Sequence, residues 1–414
     1  MKERKDITEV FTPRRGEVNP LMYVPRPSLE KQLLRSLKRY SHTLVFGESG
    51  NGKSWLYKKV LEESGIPYVV ANCGNSSRLK SITQEICNCL IEPGTATKLG
   101  FSEEKTAELN ALFGKGGLKH AGQYEITQEE PLLAAFRAFG ESSNGKKIVV
   151  LDNLEFIFES KALMDELANI LVLLDDQRYS SFNVTVLIVG TPFDVMKYFR
   201  ETKNVESVAN RIEEINKVSG LDSGQVMEII TKGFNQLGIP IVGETLISLS
   251  DHVWNITLGI AQRVHEYCES LAYEIEDNDW KYEKSLLDKA DHSWLLQGLR
   301  QSYQAIEGHL NSRETVVARK NQVIYCIGRH RAHQFDANII DGMIRKEFSG
   351  TVPKTNMGIF KILSDLSSGE TPLLSLNNKT NNFSVNDPRY LMCIRTALYK
   401  DTRDSKVKKK NFLR

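Results

Sequence analysis

The sequence predicts an α/β fold: a parallel sheet, then an all-helical region, then three helices and a hairpin. Three observations carry this. Short apolar runs, Thr43-Leu44-Val45-Phe46, Ile148-Val149-Val150-Leu151 and Val184-Thr185-Val186-Leu187-Ile188-Val189, alternate with stretches of helical spacing. From about Asp222 the strand signals stop and helical spacing takes over. Near the C-terminus, Leu373-Leu374-Ser375-Leu376 and Asn382-Phe383-Ser384-Val385 flank the polar turn Asn377 to Asn381, a hairpin signal.

Bulk properties set the frame. The 414 residues suggest two to three domains, and a 41% hydrophobic fraction is enough for ordinary cores. A net charge of +2 gives no compositional argument for nucleic acid. The start, Met1 to Asp6, lacks the apolar stretch of a signal peptide, and no long uncharged apolar run follows. A soluble cytoplasmic protein with no membrane partner is expected. The six cysteines are scattered without Cys-x-x-Cys spacing, so neither structural zinc nor a disulfide framework is expected.

The elements follow in order. Residues 1–28 are polar with four prolines, Pro13, Pro20, Pro25 and Pro27, and read as an extended lead-in. Ser28 is a plausible N-cap for a helix with Leu29, Leu33, Leu34 and Leu37 on one face. A strand over Thr43–Phe46 ends in a glycine-rich loop, and a helix runs from Ser54 to Glu63. A second strand fits Pro67 to Asn72, and a helix follows from about Leu79 to Ile91. Residues 92–130 read as an irregular insertion, and Glu130 to Phe139 as a helix. The strand Ile148–Leu151 ends at Asp152, and Lys161 to Asp176 is amphipathic. The strand Val184–Val189 ends at Gly190-Thr191-Pro192. Ser223–Gly238, Gly243–Val253 and Thr257–Glu276 read as helices of an all-α lid. Arg319–His330, Asp336–Phe348 and Lys354–Ser367 read as the three helices before the hairpin. That order is the order of a winged helix-turn-helix. The tail from Lys406 to Arg414 is basic and reads as disordered.

The loop carries the chemistry. Gly47-Glu48-Ser49-Gly50-Asn51-Gly52-Lys53-Ser54 has P-loop spacing, with the strand before it and the helix after it that the motif requires. Glycines let backbone N–H groups turn inward around phosphate oxygens, and the helix start adds its positive dipole end. Lys53 reaches the β- and γ-phosphates, and Ser54 offers its hydroxyl to magnesium. Nucleotide contacts are therefore expected from Gly47 through Trp55. Asp152, at the end of an apolar strand, has the place of the second metal ligand. Parallel sheets bind ligands at the carboxyl ends of their strands, where Ser54, Asp152 and Thr191 all lie. The expectation is a P-loop NTPase sheet that binds ATP with Mg2+.

With these motifs the chain resembles the AAA+ ATPases, and within them the origin-recognition and Cdc6-like initiators, over roughly residues 22–395. The resemblance divides the chain into a lead-in (1–28), an AAA+ α/β nucleotide-binding domain (29–220), a helical lid (221–310), a winged-helix domain (311–400) and a basic tail (401–414). It implies sensor 1 at Thr191, an arginine finger at Arg211 acting on a neighbour's site, and sensor 2 at Arg263 in Gly259-Ile260-Ala261-Gln262-Arg263. Tyr23 and Val24, before Pro25 and Arg26, resemble the segment against the adenine base. Gly190-Thr191-Pro192 also resembles the AAA+ ATPases of transposition systems. One departure matters: the family's Glu after the metal Asp is Asn153 here. An amide cannot take a proton as a carboxylate does, so Glu155 is the candidate substitute and slow hydrolysis is expected.

The resemblance implies self-assembly through AAA+ interfaces. Lys354, Thr355, Asn356 and Lys361 on the expected recognition helix, with Lys379 and Asn381 near the wing tip, are candidate DNA contacts. Asp365, Glu370 and Asp387 make that field mixed, so a protein ligand stays open. Three functions follow: a nucleotide-switched DNA-associated ATPase, a prokaryotic signalling, antiviral defence or transposition-type regulatory ATPase controlling an effector protein, and a structural ATP-binding subunit.

Overall fold

In a computed structural model, residues 4–90, 130–191, 208–311, 317–332 and 334–410 are described. The insertion expected at 92–130 lies outside them except for Glu130, and so does Pro192. The described chain forms two compact units.

The first unit holds Gly16–Val18 and Pro25–Ser219. Its sheet contains β1 (His42–Phe46), β2 (Tyr68–Asn72), β3 (Lys147–Asp152), β4 (Val184–Gly190) and β5 (Ile212–Glu214) in the order β2-β3-β4-β1-β5. Every pair is parallel. β3 and β4 are buried along almost their whole length, as expected of central strands covered on both faces. This explains why their sequences read as continuous apolar runs rather than alternations. One face packs Leu33, Leu37, Leu56, Tyr57 and Leu61 against Val45, Val150 and Leu187. The other packs Ile86, Phe136, Leu167 and Leu171 against Leu44, Val149 and Ile188.

The register sets the site. Phe46 lies beside Gly190, and Asn72 beside Asp152. The loop after β1, Asp152 at the end of β3 and Thr191 after β4 therefore lie at one edge of the sheet. β5 begins at the other edge, where Ile212 lies beside His42.

The second unit holds residues 1–15, 19–24 and 220–414. The extended lead-in expected for residues 1–28 is corrected here. Ile7–Val10 is a short helix, N-capped by Asp6, and Ile7, Val10, Phe11 and Met22 are buried. Their apolar spacing outweighs the prolines further on, because it gives the segment a face to bury against Phe234 and Tyr267. Helices Ser223–Gln236, Gly243–Thr257 and Ala261–Glu276 follow as expected, then Leu286–Gly298 and Arg300–His309.

The last part runs helix Arg319–Arg329, β6 (Gln334–Phe335), helix Ala337–Glu347, helix Ile359–Leu366, then the hairpin β7 (Leu374–Asn377) and β8 (Asn382–Val385). The strands form an antiparallel sheet ordered β6-β8-β7. One core joins this part to the preceding helices, with Leu249, Trp294, Val323, Leu363 and Phe383 among its members. Two expectations change. The third helix begins at Ile359, not Lys354, after Gly358 in the left-handed region at φ 66°. The Asn356 side chain accepts from Gly358 N at 2.8 Å, holding a turn where a helix was expected. The basic tail is also ordered over its first residues. After helix Pro388–Ala397 comes β9 (Leu398–Lys400), and β10 (Val407–Lys409) pairs with it antiparallel. Among the described residues no helix is long and apolar enough to cross a membrane.

Candidate functional site

The glycine loop joins β1 to helix Lys53–Ser64. Gly47 N donates to Gly190 O at 3.3 Å, which ties the loop to the end of β4. Gly50 and Gly52 adopt φ of 82° and 84°, conformations that cost a side chain about 1 kcal/mol or more. Gly52 caps the helix with no side-chain hydrogen bond, and the first turn has no acidic residue. The helix start thus keeps its N–H groups and dipole for an anion. Asn51 is buried and anchors the loop, donating to Glu48 Oε2 at 3.0 Å and to Val218 O at 3.1 Å. Glu48 also pairs with Lys217. Ser49 is exposed at the tip, and Trp55 is half-buried in the helix's first turn.

Lys53 Nζ donates to Gly47 O at 2.8 Å and Glu48 O at 3.1 Å. Burial pushes its amine below the ordinary value, while Glu155, Asp152 and Glu48 pull it back. Ser54 Oγ donates to Asp152 Oδ2 at 3.2 Å. A hydroxyl and a carboxylate that close are a donor set suited to a hard cation such as Mg2+. Tyr57 was missed by sequence reasoning. Its hydroxyl donates to the same Asp152 Oδ2 at 3.0 Å. The signal was available, since Tyr57 lies three residues after Ser54 and so on the same helix face.

Asn153 sits at φ 61°, left-handed, and its N–H donates to Asp152 Oδ1 at 2.8 Å. The chain then enters a 3-10 turn, Leu154–Ile157. That turn returns Glu155 to the strand ends, where its Oε2 accepts from Thr191 N at 3.2 Å. Glu155 is thus the carboxylate beside both Thr191 and, through its field on Lys53, the loop. Just past the end of the neighbouring strand β2, Cys73 opens a helix and is buried, and burial together with Asp152, Glu155 and Glu85 pushes its thiol up to about 12. It is an inert thiol, not a nucleophile.

Within the same unit, Arg211 stands apart from this constellation. Arg211 lies at the start of β5, on the sheet edge away from the loop. It pairs with Asp175 at 2.6 Å, and its carbonyl accepts from His42 N at 2.8 Å. Tyr23, Val24 and Arg263 fall in the second unit. Tyr23 and Val24 are buried there, and Lys232 Nζ donates to Tyr23 O at 2.8 Å. Arg263 pairs with Glu266 at 2.6 Å. Arg26, in the first unit, donates to Ser219 O at 3.0 Å. One of its guanidinium nitrogens lies 3.9 Å from where a Cβ on Gly52 would stand.

A parallel sheet with a glycine loop after β1, an uncapped helix start and a Ser54–Asp152 pair defines a P-loop nucleotide-binding domain. Residues 35–199 match the family described as "AAA domain". No curated protein matches. Among solved structures, the chain is similar to a Walker-type ATPase, paby2304 of Pyrococcus abyssi, at 16% identity, covering 90% of this chain and 96% of that one with a TM-score of 0.49. It is similar to the Aeropyrum pernix ORC2 protein at 15% identity, covering 89% and 90% with a TM-score of 0.45. It is also similar to Cdc6p from Pyrobaculum aerophilum at 16% identity, covering 94% and 97% with a TM-score of 0.42.

Proposed function

We propose that the chain is a nucleotide-controlled switch that binds ATP with Mg2+, hydrolyses it slowly, and engages DNA through a C-terminal winged helix. The observation that carries the nucleotide half is the Ser54–Asp152 pair beneath an uncapped helix start, with Lys53 in the glycine loop. Lys53 would hold the β- and γ-phosphates, and Ser54 and Asp152 the metal. Bound Mg2+ would screen phosphate charge and polarise the γ-phosphate. Glu155 is the proposed water-positioning carboxylate, Thr191 the first sensor, Arg263 the second, and Arg211 the finger offered to another copy in a self-assembly. ATP titration with and without Mg2+ tests the metal pair. Magnesium should tighten binding to the natural chain and do so about tenfold less for Asp152→Asn. An equal effect of magnesium on both proteins would sink the assignment.

The DNA half is supported by the order helix, β6, two helices, hairpin, and by the exposure of Lys354, Lys361 and Lys379. Duplex binding across salt should weaken when Lys361 and Lys379 become Glu, with a shallower salt slope. A second reading, control of an effector protein in signalling or defence, is favoured by one observation. Phe360 on the helix Ile359–Leu366 is 46% exposed, with Asp365 exposed nearby on the same helix. An exposed aromatic suits a protein partner better than a phosphate backbone. Unchanged duplex binding in the Lys361, Lys379 variant would favour that reading.

A further inference from the structure

We infer that the second unit holds a phosphate-binding pocket of its own, a cationic cavity of about 260 Å³ lined by Asn255, Tyr325, Arg329, Arg395, Tyr399 and Lys400. This site uses none of Lys354, Lys361 and Lys379, the lysines invoked above for DNA.

Arg395 is its fixed floor. It stands on helix Pro388–Ala397 and donates to Gly328 O at 2.5 Å, Asn255 O at 2.9 Å and His330 O at 3.2 Å. A guanidinium has five N–H donors, so this hold leaves others for a ligand. The fork is already immobilised, and binding an oxygen there costs little further side-chain entropy. Arg329 and Arg331 stand beside it at the end of helix Arg319–Arg329. Aromatic faces hold them rather than carboxylates: Arg329 lies 5.6 Å from the Tyr325 ring centroid, and Arg331 lies 5.2 Å from that of Trp254. Among the described residues neither arginine makes an ion pair. Lys400 alone has an acidic partner, Glu347 at 3.3 Å.

The lining therefore carries three cations, Arg329, Arg395 and Lys400, with Arg331 close by, against the one carboxylate of Glu347. Burial pushes the Arg395 guanidinium down to about 10, and the charges of Arg331 and Arg329 push the same way. Capping helix ends explains Arg395 by itself. It does not explain two further guanidiniums gathered there without a counter-charge. An anion relieves that repulsion, and guanidinium forks flanked by tyrosine hydroxyls and an amide suit phosphate oxygens. The volume decides the size of the guest. At about 260 Å³ the cavity is below the range typical for whole drug-sized ligands, so it suits a phosphate group with its attached sugar. That group can belong to a nucleic-acid backbone or to a free sugar phosphate.

The test uses the full chain carrying Lys53→Ala, which silences the glycine loop. The probes are ribose 5-phosphate, followed by calorimetry, and a short labelled duplex, followed by anisotropy across salt. Arg329→Glu with Arg331→Glu should weaken at least one probe by about tenfold or more. Arg329→Lys with Arg331→Lys keeps the charge and should retain binding within about threefold, which separates charge from fold. Loss of duplex affinity with a salt slope shallower by about two assigns the guest to a nucleic-acid backbone. Loss of ribose 5-phosphate alone assigns it to a free sugar phosphate. If the doubly reversed variant melts normally and binds both probes as before, or if neither probe binds the parent, the pocket is not a phosphate site. Lys361→Glu should leave ribose 5-phosphate binding intact, so failure of the winged-helix reading is seen separately.

Discussion

Selected cations of the two units are held differently. In the α/β unit, Lys53 is held by backbone carbonyls and Ser54 by Asp152, so both can turn to a ligand without leaving a structural ion pair broken. In the second unit several charges close on one another. Arg263 pairs with Glu266, Lys408 with Asp401 and Asp404, Lys409 with Glu307, and Lys410 with Asp288 and Asp291. The difference teaches where function is readable from local sequence. A phosphate loop is made by consecutive residues, whereas a structural cation is recognised only with the partner the fold brings to it.

Acid should test the two units in the same way, with the largest effect. Among the described residues, each holds one buried histidine that burial keeps neutral near pH 7. Burial pushes His42 down to about 4, against the pull of the Leu171 carbonyl and Asp175, and burial does the same to His265. His42 donates through Nε2 to Leu171 O at 3.1 Å and accepts from Val186 N at 3.1 Å, so the neutral ring is the one that fits. The folded pKa lies below the unfolded one. Stability is therefore complete above about pH 6.5 and falls as pH drops toward 4, by about 2 kcal/mol per histidine at pH 5. Denaturant melts at pH 7.5 and 5 check this, and equal stability at both would break the symmetry claimed for the two units.

A somewhat smaller effect should separate them. Lys53→Ala should weaken ATP binding by about 100-fold, roughly 2.7 kcal/mol, while the melting temperature of the free protein stays within a degree or so, because its partners are carbonyls. Lys410→Ala should behave in the opposite sense. Asp291 is fully buried, and burial pushes its carboxyl up, but His252 and Lys410 outweigh that and hold it below the ordinary value. Removing Lys410 should cost about 1–2 kcal/mol of stability, less than a fully buried pair because His252 and Tyr267 remain. ATP affinity should not change. A Lys53 variant that melts early, or a Lys410 variant that loses ATP, would erase the contrast.

The same contrast explains what was legible in the sequence. The strands, the glycine loop and Asp152 were legible because burial on both faces demands unbroken apolar runs and the loop needs its glycines. The hairpin was legible because Asn377 to Asn381 is turn chemistry between two apolar runs. The third helix was placed five residues early because Asn356 and Gly358 were read as helix residues rather than as the turn that starts one. The order of Lys406–Lys410 was invisible because Glu307, Asp288 and Asp291 lie about a hundred residues away in sequence. Tyr57 and the Glu155–Thr191 contact depended on the pitch of a helix and on one left-handed residue.

That left-handed residue has a consequence for engineering. Asparagine tolerates φ near 61° far better than most side chains do. Writing glutamate directly into position 153 would place an acid on a backbone that resists it, at a cost of about 1 kcal/mol. If Glu155 holds the water-positioning post proposed for it, an acid at position 153 would duplicate that post rather than repair it. Register in space, not register in alignment, decides which residue occupies a chemical post.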